Sequence, residues 1–210
     1  MEGAGKGMSD MPSSLSEIIN QSGKNALPTA VHRLDVPVTG CALFALTEDA
    51  LVYLNKAFNN TPEQKIEKRY WAIIEKPENA LPVAESGELV HWLSFDSAKN
   101  KSFAHNEAGQ GRKKAVLRYR LAGVGTNYLF FEIELITGRH HQIRAQLARM
   151  GLRIKGDLKY GAKRSEKQGG IRLHARSLVF PNPMDGRIIK VLAAPPVMDN
   201  LWEAFLHAGK

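Results

Sequence analysis

An α+β fold, with a mixed, mostly antiparallel central sheet and flanking helices and loops that form a cleft, is what this sequence predicts. Three observations predict it. Segments with strand character outnumber helical ones, and the helices are scattered instead of alternating with strands. LHARSLVF and RIIKVLAA flank PNPMDG, whose Asp185-Gly186 pair is hairpin chemistry, so these neighbours run antiparallel. The chain of 210 residues shows no internal repeat and is long enough to bury a substantial core.

The elements follow in order. The first 13 residues, rich in Gly, Ser and Met, read as a tail, and 14–210 as one domain. SLSEIINQSG is a short helix candidate with Leu15, Ile18 and Ile19 on one side and Gly23 placed to end it. CALFALT, Cys41–Thr47, reads as a strand. A helix then starts at Thr47 as N-cap, with Glu48 and Asp49 at the positive end of its dipole and Leu51, Leu54 and Phe58 as its apolar stripe. KRYWAIIEK, Lys68–Lys76, is aromatic and β-branched and stops at Pro77, the mark of a strand. Residues 77–112 are polar and Gly-containing, so short strands and long loops are expected there. AVLRYRL alternates as a half-exposed strand, and YLFFEIEL is more central. GRHHQIRAQLARMG switches to helical spacing, with Ile143, Leu147 and Met150 on one face and Gly151 at C′. NLWEAFLHAG closes the chain as a helix.

Composition narrows the class. The apolar fraction of 43% is that of a folded protein. No run approaches the ~18 consecutive apolar residues of a membrane span, and the N-terminus has no secretory h-region. A single cysteine, Cys41, excludes an internal disulfide, so a cytoplasmic setting is expected. The net charge of +8 is unevenly placed: residues 1–94 carry 8 basic and 12 acidic side chains, 95–120 carry 7 and 2, and 149–176 carry 9 and 2. Two basic blocks of this kind suit a polyanion such as nucleic acid, although a solvated, solubilising face has the same composition.

The stretch VHRLDVPVTG sets Arg33 and Asp35 two residues apart, which on a strand is the spacing of a same-face ion pair. Three further constellations carry chemistry-bearing residues: KRYWA, TGRHHQIR and GLRIKGDLKYG. Singly, each has a plain structural explanation. Tyr70 on an apolar strand packs, and Gly156-Asp157 is turn chemistry. His140 and His141, as adjacent helical residues about 100° apart, do not easily share one metal ion. No metal site is expected.

Taken in order, the motifs resemble the RluA-type RNA pseudouridine synthases. The resemblance rests on His32-Arg33-Leu34-Asp35 with Thr39-Gly40, then Lys68-x-Tyr70-x-Ala72, then Thr137-Gly138-Arg139-x-His141-Gln142-Ile143-Arg144. Gly151-x-x-Ile154-x-Gly156-Asp157-x-x-Tyr160-Gly161 and Leu173-His174-Ala175 complete it, from about residue 27 to 195. The resemblance implies a pseudouridine synthase-like fold and isomerisation of a uridine in ribosomal or transfer RNA, with no metal and no cofactor. It makes Asp35 the essential catalyst, sets Tyr70 against the target base, and pairs Arg144 with Asp35. It also implies that Arg33, His32, Thr39, Arg139, His141 and Gln142 contact the substrate. A buried carboxylate tends to take up a proton, and a guanidinium in hydrogen-bonding range opposes that and fixes its direction. Tyr70, with an ordinary phenol pKa of about 10, suits stacking better than proton transfer. For RNA phosphates the candidates are Lys155, Lys159, Lys163, Arg164 and Lys167.

Three positions depart from the family pattern: Val38 replaces a hydroxyl residue, Gln146 a histidine and Arg153 a proline. The family's N-terminal strand and Asn-Lys-Pro-Ala-Gly loop are reduced to at most Lys6-Gly7-Met8, so a shortened N-terminus with one unpaired sheet edge and no S4-like domain is expected. A monomer acting on RNA, with no membrane partner, is the leading expectation. The alternative is a non-catalytic RNA-binding or ribosome-assembly module on the same scaffold. A nucleoside hydrolase is weaker, because Asp35 has no evident partner acid.

Overall fold

The apolar residues of KRYWAIIEK fall on both faces of one strand, as a strand covered on each side requires. The computed structural model describes residues 11–21, 27–58, 66–77 and 84–208. They belong to two units: residues 1–36, 42–66 and 179–191, and residues 37–41, 67–178 and 192–210.

In the first unit, α1 (Met11–Gln21) starts inside the stretch read as a tail. Gly23, and the tail's residues 1–10, lie outside the described residues. β1 (Thr29–Ala30) precedes the loop that carries Asp35, and that loop ends at β2 (Thr39–Gly40) in the second unit. The strand expected over Cys41–Thr47 shrinks to β3 (Phe44–Ala45), which pairs antiparallel with β1. The run is apolar but offers no alternation, and so little for a longer ladder to bury. α2 (Glu48–Phe58) begins as expected, the Ala50 amide donating to the Thr47 hydroxyl at 3.2 Å.

The second unit is a sheet wrapped by two helices. Its strands are β4 (Glu67–Glu75), β5 (Ser86–Asp96), β6 (Lys101–His105), β7 (Lys113–Val124) and β8 (Tyr128–Leu135), all paired antiparallel in the order β4-β8-β7-β5-β6. Within the 77–112 region, the described stretch 84–112 is therefore far more regular than expected. Leu89, His91 and Leu93 face inward at every second position, and this period outweighs the polar composition. α3 (Gln142–Arg149) leads to β9 (Arg153–Ile154), which pairs with β4. β10 (Leu173–Pro181) lies on the other side of β4 and takes β2 as a parallel partner at His174 and Ala175. In the first unit, apart from Leu192, β11 (Ile188–Leu192) returns from the Asn182–Arg187 turn, where Gly186 adopts φ +73°. α4 (Asn200–Ala208) ends the described chain.

The two sheet faces have separate cores. Trp71, Ile73 and Phe130 pack against Trp202 and Phe205 of α4. Burying each of these large side chains contributes roughly 1.5–3 kcal/mol. On the other face, Leu93 and Ala115 pack against Ala145 of α3 and against Tyr160. Ile143 and Leu147 are buried as expected, but Met150, at the helix end, is exposed. Gly151 at φ +77° reverses the chain there, and its amide donates to Ala148 O. No helix among the described residues is long and apolar enough to cross a membrane.

Candidate active site

The loop bearing Asp35 is pinned just downstream of it. Pro37 O accepts from the Ile171 amide at 3.0 Å, and the Cys41 amide donates to Ala175 O at 2.9 Å. Thr39 Oγ1 lies 2.8 Å from His174 Nδ1, while His174 Nε2 lies 3.0 Å from Ala193 O. A carbonyl only accepts, so Nε2 carries the ring proton and the Thr39 hydroxyl donates to Nδ1. Burial pushes the His174 pKa down, which keeps the ring in the neutral form this pattern needs. Gly40, at φ +117°, sits where any Cβ would run into the Ala175 backbone.

In the other unit, Asp35 is half-buried and Arg33 exposed. His32 Nε2 accepts from the Leu43 amide at 3.2 Å, and its ring stacks on Phe58 at 5.1 Å. These contacts hold the start of the loop.

Tyr70 sits buried on β4, and Lys68, two residues earlier, shares its face and is also buried. Burial lowers the Lys68 pKa. Its ammonium lies against Gly138, where an added Cβ would be 3.6 Å from Nζ. The sequence reading gave Lys68 a place in the K-x-Y pattern but no role, and did not foresee its burial.

The TGRHHQIR segment is a loop followed by a helix, not a continuous helix. His140 and His141 precede α3, and their rings stack at 3.8 Å instead of diverging by a helical step. His141 adopts the left-handed conformation, φ +51°, at the helix start. Gln142 fastens this loop. Its Oε1 accepts from the Thr137 hydroxyl at 2.7 Å and from the Arg139 amide at 2.9 Å, and its Nε2 donates to Val116 O at 3.0 Å. Arg139 itself is exposed and donates from Nε to Lys114 O at 3.2 Å. Gln146, one of the departures, is fully buried, and its Nε2 reaches Leu89 O, Ala115 O and His91 Nδ1 at 3.1–3.3 Å.

Arg144 projects from the first turn of α3 into the core. Its Nε and Nη2 donate to the two Asp157 carboxylate oxygens at 2.7 and 2.8 Å, with both side chains buried. Asp157 is therefore much more than turn chemistry: it is the carboxylate that holds Arg144 within this unit. Tyr160 covers the pair, its ring 4.9 Å from the guanidinium carbon. The Tyr160 hydroxyl donates to Ser102 O and accepts from the Ser102 amide, both at 3.0 Å, so the 3.1 Å contact is donated by His141 Nδ1. Desolvation, then the positive charge of Arg144, pushes the His141 pKa down to about 3.

Of the phosphate candidates, Lys155 is ion-paired with Glu166, and Lys159 Nζ donates to Asn100 O at 3.1 Å. Lys163, Arg164 and Lys167 line an open groove at the far end of β4. Among the described residues no group of three or more His, Cys, Asp or Glu side chains is arranged to hold a metal ion.

The fold and the motifs have known counterparts. The RNA pseudouridylate synthase family matches residues 4–149. An uncharacterized RNA pseudouridine synthase of Mycobacterium bovis is 31% identical over 85% of this chain, and the match covers 56% of that protein. The tRNA pseudouridine synthase C of Haemophilus ducreyi is 30% identical over 84% of this chain and 75% of its own length. Human RNA Pseudouridylate Synthase Domain Containing 4 superposes with a TM-score of 0.69 at 21% identity, covering 94% of this chain and 82% of that one, which shows the fold. The chain spans little more than half the length of the mycobacterial relative. It belongs to the RNA pseudouridylate synthase family, in its RluA-type branch.

Proposed function

We propose that this chain isomerises uridine to pseudouridine at a defined position in structured ribosomal or transfer RNA. The observation that carries the reading is the ordered motif set of its family, with the Asp35 loop tied to β10 through Thr39 and His174. In the reaction the N1–C1′ bond breaks and a C5–C1′ bond forms. C5 loses its proton and N1 gains one, so substrate and product are isomers and no cofactor is required. Asp35 is the essential carboxylate, Arg144 its counter-charge, and the Tyr70 ring the surface on which the uracil rests. A uridine in a folded RNA must leave its stack first, at a cost of a few kcal/mol. The tRNA enzyme among the relatives supports transfer RNA as one substrate class. The setting is cytoplasmic and the working form a monomer.

Gln142 and His141 act in this scheme by holding the loop that carries Arg139 and Arg144, and His32 by holding the start of the Asp35 loop. Arg33, Thr39 and Arg139 stay as the candidates nearest the RNA. Incubation with total cellular RNA, followed by pseudouridine mapping, tests the proposal. Wild type should create new pseudouridines and Asp35→Ala none. A wild-type chain that binds RNA and modifies no uridine would instead favour the non-catalytic RNA-binding module.

A further inference from the structure

β4 has two functional ends. Tyr70 lies near its start, while Glu75, Lys76 and Pro77 line a groove of about 910 Å³ where it stops. The 163–168 loop, Arg172 and the start of α4 complete the groove. That size is at the upper end of small-molecule pockets, about 300–1,000 Å³, but those are lined mainly by apolar groups. This lining is instead charged, with six cations and three carboxylates.

The carboxylates are already engaged. Glu166 pairs with Lys155 and with Arg172 at 2.7 Å, and Asp199 pairs with Arg172 at 2.5 Å. Glu75 accepts from the Lys163 amide at 3.0 Å. These bonds fix the walls and neutralise Lys155 and Arg172. Among the described residues, Lys76, Arg164 and Lys167 make no ion pair, so the groove keeps a positive excess.

We propose that this groove holds backbone phosphates of the substrate RNA some distance from the target uridine, with Lys76, Arg164 and Lys167 as the contacting cations. The proposal rests on the isomerase reading and adds where the flanking RNA lies. From Tyr70 to Glu75 the strand rises about 17 Å at ~3.3 Å per residue. Five residues is an odd spacing, so Tyr70 and Glu75 also face opposite sides of the sheet, and the RNA must pass round the strand to reach the groove, which puts the contacted phosphates at least several nucleotides from the flipped base. RNA too short to span that distance gains nothing from the groove. Lys155 and Lys159, equally basic in sequence, are not counted among the principal contacts because Lys155 is ion-paired with Glu166 and the Lys159 ammonium already donates to Asn100 O.

The test compares wild type with the triple variant Lys76→Ala/Arg164→Ala/Lys167→Ala. A control variant, Lys56→Ala/Arg187→Ala/Lys190→Ala, removes equal charge from exposed positions outside both basic blocks. Binding of unfractionated transfer RNA and of a trinucleotide of uridylate is measured across a salt titration, with thermal melts confirming the fold. For the triple variant, the slope of log affinity against log salt should become shallower by about 2 to 3 units, with affinity for transfer RNA down roughly 10- to 100-fold. Trinucleotide binding should not change, and the control should keep the wild-type slope. An unchanged slope in the triple variant, an equal loss in the control, or wild type with no salt-dependent binding each overturns the groove. Binding is read without turnover, so a failure to form pseudouridine counts against the isomerase reading and not against the groove.

Discussion

Arg144 and Asp157 form a buried, two-pronged ion pair, at 2.7 and 2.8 Å, between the first turn of α3 and the turn after β9. The motif that supplies the guanidinium and the motif that supplies the glycine-aspartate turn are thereby one structural device. The Arg144 guanidinium lies against the Tyr160 ring, whose hydroxyl donates to Ser102 O of β6.

Losing Asp157 removes the carboxylate that accepts from both Nε and Nη2 of the buried Arg144 guanidinium. Asp157→Ala is expected to destabilise the fold by about 3–5 kcal/mol, read as a lowered urea midpoint. Asp157→Asn keeps an acceptor for one guanidinium edge and should fold. It should still lower kcat, because Arg144 loses half of its fixed geometry. A stability unchanged in Asp157→Ala would contradict the buried pair.

The Thr39–His174 bond gives a second prediction. Thr39→Val keeps shape but leaves the buried Nδ1 acceptor without its donor, at a cost of about 1–3 kcal/mol. Because the bond anchors the segment four residues after Asp35, kcat should fall more than KM rises, whereas Thr39→Ser should restore most of both. Equal behaviour of the Val and Ser variants would remove the hydroxyl from the account.

His141 gives a pH dependence with a defined sign. Its folded pKa, about 3, lies below the ordinary histidine value of 6.5, so the unfolded chain binds the proton more readily. The stability this group contributes is complete above about pH 6.5 and is lost as pH falls from there toward 3. Urea titrations at several pH values should show that decline in wild type. His141→Asn suits the left-handed backbone and should flatten this component while staying folded at neutral pH. A decline just as steep in the variant would assign it to other groups.

How much of this was legible in the sequence varies with the kind of signal. β8 and the C-terminal helix could be read because each buries a patterned face. β5 could not, because its inward positions include His91, which reads as polar although Gln146 partners it in the core. The left-handed turn at His141 broke the expected helix, and no propensity announces it. Arg144 and Asp157 were both visible as motif residues, but their pairing was hidden, because Gly-Asp is ordinary turn chemistry until a guanidinium 13 residues away is found on it. Lys68 was hidden for a related reason: a lysine reads as solvent-facing, and only burial shows otherwise.

In the proposed reaction the Asp35 carboxylate drives exchange of the C1′ bond from N1 to C5. Forming that bond expels the C5 hydrogen, so RNA carrying tritium at uridine C5 should release it to water with wild-type protein. Asp35→Asn, which keeps the side chain's shape and removes its charge, should bind the same RNA with similar affinity and release none. Tritium release by Asp35→Asn at the wild-type rate would contradict the account.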